Sequence, residues 1–187
     1  MDSQRLHRLN RSSCFAAALV VLTCACSTVT DSGTRSVTTI LDDDRIETVA
    51  LRMIKQSDPR FAKCHVVVVS HKGVVLLVGE VQDEELKQKA GAIVQNVDLV
   101  RTVHNELEIG APTAWSTRSN DAWITTKVKS AMIGHGGIDV GAINVTTENG
   151  VVYMMGVVSH GEADAAVEAA SGVSGVKKIV KVFEYSD

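Results

Sequence analysis

The segment Gly73-Val-Val-Leu-Leu-Val-Gly79-Glu-Val81 returns 77 positions later as Gly150-Val-Val-Tyr-Met-Met-Gly156-Val-Val158. Each copy follows an alternating apolar run. Each precedes a polar turn, an alanine-rich helical pattern and a Val-x-x-Val-x-x-Val/Ile stretch: Val97, Val100 and Val103 first, then Val173, Val176 and Ile179. A chain of 187 residues built twice from one small unit has no room for a single large catalytic domain. At about 65 residues a unit buries little surface and is marginally stable alone, so the two copies are expected to pack on each other.

The first 26 residues read differently. Arg5, Arg8 and Arg11 form a basic region ahead of the short apolar run Phe15-Ala-Ala-Ala-Leu-Val-Val-Leu22. That run is far short of the ~20 residues that span a bilayer, so it reads as an export signal. It ends in Leu22-Thr-Cys24-Ala-Cys26-Ser27. A small residue before cysteine at this place resembles a bacterial lipobox, whose cysteine is acylated and becomes the new N-terminus. Cys26, after Ala25, fits better than Cys24, after Thr23, although Thr23 stands where such signals usually carry leucine. Serine after Cys26, with no aspartate there, resembles the signal that sends lipoproteins to the outer membrane. The expected state is a palmitate-bearing protein anchored on the periplasmic face of that membrane. Cys64 then remains as a lone thiol with no disulfide partner, and its apolar surroundings read as buried and inert.

Loss of residues 1–26 leaves 16 basic and 21 acidic side chains. That balance argues against nucleic acid, whose binders carry a basic surplus. Residues 27–42, rich in Ser, Thr, Gly and Asp, read as a flexible tether. A first domain is expected over 43–109, a linker marked by Gly110 and Pro112 over 110–119, and a second domain over 120–187.

Each unit reads helix, strand, strand, helix, strand. Ile46, Ala50, Met53 and Ile54 lie at helical spacing, and so do Ile124, Val128, Ala131 and Met132. Strands are expected over 66–69 and 74–81, and an alternating Val103, Asn105, Leu107, Ile109 strand closes the first unit. In the second, Ile143-Asn-Val-Thr-Thr alternates and Asn149-Gly150 is a strong hairpin signal. Asp83 is placed to cap a helix with the stripe Leu86, Ala90, Ile93 and Val94. Ser159 and Glu162 have capping-box spacing before Ala163, Val167 and Ala170. Ile179, Phe183 and Tyr185 close the chain. The fold class is α+β: two tandem αββαβ units, each a three-stranded mixed sheet covered by two helices. The continuous apolar runs at 74–78 and 151–155 exceed what a sheet with one buried face needs, so the outer faces pack together or engage a partner.

No catalytic constellation emerges, and neither a metal nor a cofactor is expected. The histidines are scattered without a carboxylate or cysteine at ligand spacing, so no nucleophile–base pair for a periplasmic hydrolase can be named. Gly134-His-Gly-Gly137 lacks the spacing of a phosphate-cradling loop. The first helix of the second unit is different. At 100° per residue Trp123 lies roughly 125° from the centre of its buried stripe, and Arg45 occupies its place in the first copy. Thr126, Lys127 and Ser130 lie near it, with Lys129 and Ile133 further round. Arg118 is expected ahead of this helix and Asp121 as its cap. A tryptophan beside lysines suits the headgroup zone of an anionic membrane, at ~1 kcal/mol per basic residue. Packing of Trp123 against the linker or the first unit is the alternative.

The repeated unit, with a central glycine after a hydrophobic strand and the closing Gly175-Val-Lys-Lys-Ile179, resembles the BON domain. The match is most specific at Ser119-Asn-Asp-Ala-Trp-Ile-Thr-Thr-Lys-Val128, Val145-Thr-Thr-Glu-Asn-Gly150 and Val173-Ser-Gly-Val-Lys177, and it runs from about residue 43 to the end. The irregular lipobox departs from the pattern. The resemblance implies a non-enzymatic outer-membrane lipoprotein that binds anionic phospholipid and supports envelope integrity. It implies lipid contact by the first helix of the second domain, at Trp123 and, less directly, Lys127 and Lys129. The other expectation is an adaptor binding an outer-membrane or envelope protein through its apolar sheet face or the Trp123 surface.

Overall fold

The computed structural model describes residues 37–187. The signal segment with Cys24 and Cys26, and residues 27–36 of the expected tether, lie outside the described residues. The first helix, α1, spans Val37–Ser57, so helix begins inside the stretch expected as tether. Its register is set by Ile46, Ala50 and Ile54, all buried, and by Asp43, a buried acid one turn before them. Met53, expected on that stripe, is exposed, because its direction falls at the edge of the arc that meets the sheet.

A 3-10 turn over Pro59–Lys63 leads into β1 (His65–His71), β2 (Val74–Val81) and α2 (Glu84–Gln95). The last strand is broken into β3 (Thr102–Asn105) and β4 (Glu108–Ile109), both parallel to β2, while β1 is antiparallel to it. The break turns Leu107 into the core and leaves Ile109 largely exposed. The second unit has α3 (Trp115–His135), β5 (Ile143–Glu148), β6 (Val151–Val158), α4 (His160–Ser171) and β7 (Lys178–Tyr185). Its order β5-β6-β7 repeats the antiparallel-then-parallel pairing. The α+β reading of two mixed sheets, each carrying two helices, holds.

The helix caps follow the sequence. The Asp83 carboxylate accepts from the Leu86 amide at 2.9 Å, and Leu86, Ala90 and Val94 face the core. Ser159 and Glu162 form a capping box at the start of α4, and the Glu162 carboxyl is held below its usual range chiefly by the Ser159 backbone amide. The stripe of α4 is Ala163, Ala166 and Ala170, with Val167 half-buried beside it.

Asp121 departs from expectation. It lies inside α3, six residues past its first residue, and is buried. Its two carboxylate oxygens accept from the Asn149 and Gly150 amides of the β5–β6 turn, each at 2.9 Å. Asp43 does the same for the β1–β2 turn, taking the Lys72 and Gly73 amides at 2.9 and 3.1 Å, and the Ser70 hydroxyl at 2.7 Å. An Asx residue just before an apolar stripe has the sequence signature of a helix cap. Here the turn amides of a tight hairpin are the orphan donors that claim it. Both turns hold their first two residues at positive φ, Lys72–Gly73 and Asn149–Gly150, as a two-residue hairpin requires.

Each domain has its own core between helices and sheet, built around Leu77 in the first and Met154 in the second. A third cluster joins the two sheets by their outer faces: Val69, Val74, Leu76 and Val78 meet Tyr153, Met155 and Val182. The surplus apolar residues are used for interdomain packing. Burial there pushes the Tyr153 phenol up to about 12.

Candidate functional site

Helix α3 starts at Trp115, after Ala114, which offers no side-chain cap. The expected linker thus shrinks to residues 110–114, and Arg118 stands inside the helix rather than ahead of it. The buried stripe of α3 is Ile124, Val128 and Met132. The outer face is unusual. Trp115, Trp123 and Ile133 are 76%, 61% and 70% exposed. At 100° per residue Trp115 and Ile133 point the same way, ~27 Å apart along the axis, and Trp123 sits 80° round from them. Ser119, Ala122, Thr126 and Ser130 fill the space between. The only acid of this helix is Asp121, which is buried. A face three large apolar side chains long, with no acid on it, stands out in a chain with an acidic surplus.

The two expected lysines divide. Lys129 is exposed at the edge of the face. Lys127 is half-buried, and its ammonium donates to the Ser174 carbonyl at 2.6 Å, across the groove between α3 and the turn before β7. Its charge is therefore committed to its own domain. Trp115 was hidden in the sequence by Pro112 and Gly110, which mark a linker. The clue to it is its spacing of eight residues from Trp123, two turns of one helix.

Three histidines have carboxylate neighbours from distant sequence. His160 Nδ1 lies 2.7 Å from Asp187, and its ring stacks on Tyr185 at 3.9 Å. That hydrogen bond holds the Asp187 carboxyl below its usual range. His135 lies 3.7 Å from Glu168 and His65 lies 3.4 Å from Glu148. Among the described residues no three His, Cys, Asp or Glu side chains come together as a metal site would require. Cys64 is half-buried at the end of the 3-10 turn, its Sγ 3.5 Å from the Arg60 carbonyl. No helix of the described residues is long and apolar enough to cross a membrane.

The BON domain pattern matches residues 42–111 and again residues 120–187. The chain belongs to the BON-domain family. It is 36% identical over 174 residues to the outer membrane lipoprotein DolP of Haemophilus influenzae, covering 93% of this chain and 89% of that one. It is 33% identical over 152 residues to the 21 kDa hemolysin of Actinobacillus pleuropneumoniae, covering 81% and 78%. A shorter match, 41% over 61 residues, covers 32% of this chain and 30% of the osmotically-inducible protein Y of Escherichia coli. The chain is thus a BON-domain outer-membrane lipoprotein similar to DolP, and none of these relatives bears an enzyme's name.

Proposed function

We propose that this protein is a non-enzymatic envelope protein that docks on anionic phospholipid headgroups through the outer face of α3, while an acyl group on Cys26 keeps it at the periplasmic face of the outer membrane. The observation that carries this reading is the exposure of Trp115, Trp123 and Ile133 on a helix face without an acid. Indole rings partition to the headgroup layer and isoleucine to its inner edge. Lys129 adds attraction to anionic lipid, whereas Lys127, bound to Ser174, contributes little until that bond opens. The helix would lie in the plane of the membrane. Support for envelope integrity would follow from holding the two-domain body against the lipid surface. The adaptor reading keeps only the Trp123 surface, since the outer sheet faces are covered by each other.

Flotation of the non-acylated chain with phosphatidylglycerol-containing vesicles tests the proposal. Trp123→Glu is expected to abolish binding and leave the thermal midpoint nearly unchanged, because the side chain has little packing to lose. Raised salt is expected to weaken binding of the parent only in part, screening Lys129 but not the apolar contact. A folded Trp123→Glu variant that still floats would move the contact elsewhere. A parent that never floats would favour a protein partner.

A further inference from the structure

The start of α3 is held by the first domain, and the hold passes through a histidine. His65 opens β1 and sits opposite Glu80 of β2 in the register. On one side its Nε2 lies 3.4 Å from the Glu148 carboxylate at the end of β5. On the other, Arg118 Nη1 of α3 comes within 3.5 Å of its Nδ1. Guanidinium only donates, so this contact is a hydrogen bond when the ring is neutral with its proton on Nε2, the side that faces Glu148. Three buried polar atoms in this cluster lack a well-formed hydrogen bond: His65 Nε2, Glu148 Oε2 and Arg118 Nε. The same arginine lies over the Trp115 ring, 5.9 Å from its centroid. One turn earlier the Glu80 carboxylate accepts from the Thr113 amide at 3.0 Å and from its hydroxyl.

We propose that His65 is a proton-operated latch on the first turn of α3, and so a regulator of the membrane face that begins at Trp115. In the neutral state Arg118 is seated on Nδ1 and its guanidinium covers Trp115. When His65 takes up a proton, Nδ1 becomes an N–H that faces a cation at hydrogen-bond distance. Arg118 loses its acceptor and gains a repulsion. The ring itself does not leave, because its protonated form strengthens the contact with Glu148 and faces Glu80 across the strand pair. Glu108, paired with Glu80 on β4, and Asp121, which acts on Glu148, complete the charges around the cluster. The proton therefore exchanges one interdomain contact for another: β1 stays tied to β5, and α3's first turn is freed. Burial raises the Glu148 carboxyl above its usual range, which sets a lower bound on the window, since a protonated Glu148 no longer holds the imidazolium.

The consequence for lipid rests on the proposed function above; the latch itself does not. The experiment therefore reads both, on the full chain in detergent micelles and then on vesicles. In NMR, pH is varied over ~5–8, where histidine side chains in general change charge, while the His65 ring and Arg118 Nε–H signals are followed. The expected result is loss or sharp displacement of the Arg118 signal with the same midpoint as His65, and no such change in His65→Gln. An Arg118 signal that ignores the titration, or still responds in His65→Gln, overturns the latch. Arg118→Gln guards against a folding artefact: it should remove the coupling while the His65 ring still titrates. Flotation with phosphatidylglycerol vesicles at the two ends of that range is expected to differ severalfold in the parent and not in His65→Gln. A latch seen by NMR without a lipid effect keeps the switch and rejects α3's first turn as a lipid contact.

Discussion

Helices α1 and α3 are the same part made twice, 21 residues each, and they agree only on the inside. Ile46, Ala50 and Ile54 are matched by Ile124, Val128 and Met132, and the hairpin clamp Asp43 by Asp121. On the outside Arg45, Arg52 and Lys55 of α1 stand where α3 has Trp123, Ser130 and Ile133, all of them exposed. Inward positions are fixed by a sheet that is the same in both copies, so packing tolerates little change. Outward positions, exposed in both copies, are free of that constraint. What the two copies do differently is therefore written on one helix face, and the first copy, with its cations and few apolar residues there, has the ordinary solvated version.

The comparison can be broken first at the second helices. Leu86 of α2 has no exposed surface, while its counterpart stripe on α4 is alanine with Val167 only half-buried. Leu86→Ala is expected to cost ~2–5 kcal/mol in denaturant melts, and Val167→Ala about 1 kcal/mol. Equal costs would mean that the two cores are filled alike, against the burial described. Next are the clamps. Asp43→Ala and Asp121→Ala each strip two turn amides of their acceptor, at about 1–3 kcal/mol, and Asp43→Ala is expected to be the worse because it also strands the Ser70 hydroxyl. Amide exchange at Gly73 and Gly150 would show each hairpin loosening by itself. The smallest effect concerns the turn before the last strand. Leu99 sits at φ 70°, where the second copy has Gly175 at φ 102°. A leucine there costs roughly 1–2 kcal/mol, part of which a glycine gives back by loosening the unfolded chain. Leu99→Gly should thus raise stability by several tenths of a kcal/mol, and a loss would show that the exposed leucine has a packing role.

The duplication was legible because two short segments 77 positions apart carry the same pattern, and the element order, the capping box and the cap at Asp83 because each rests on residues within one or two turns of one another. The exposure of Trp123 was legible too: a helical angle is a local quantity, and the arginine in the other copy gave a control. Asp121 was misread because a cap and a clamp have the same sequence signature until the hairpin arrives, 28 residues later. Trp115 was missed because Gly110 and Pro112 end one element without saying how soon the next begins. The contact of His65 with Glu148 joins residues 83 positions apart and has no local trace at all.

The shortness of the joint has a consequence for how the two repeats can be taken apart. With α3 beginning at Trp115 and β4 ending at Ile109, five residues connect the domains, and one of them, Thr113, is bound to Glu80. A protease needs a longer, slack strand to thread through its cleft, and such strands lie at loose loop tips and chain ends. Digestion of the folded protein would therefore leave the joint whole. Two copies that look like separable beads in the sequence would survive, or be degraded, together.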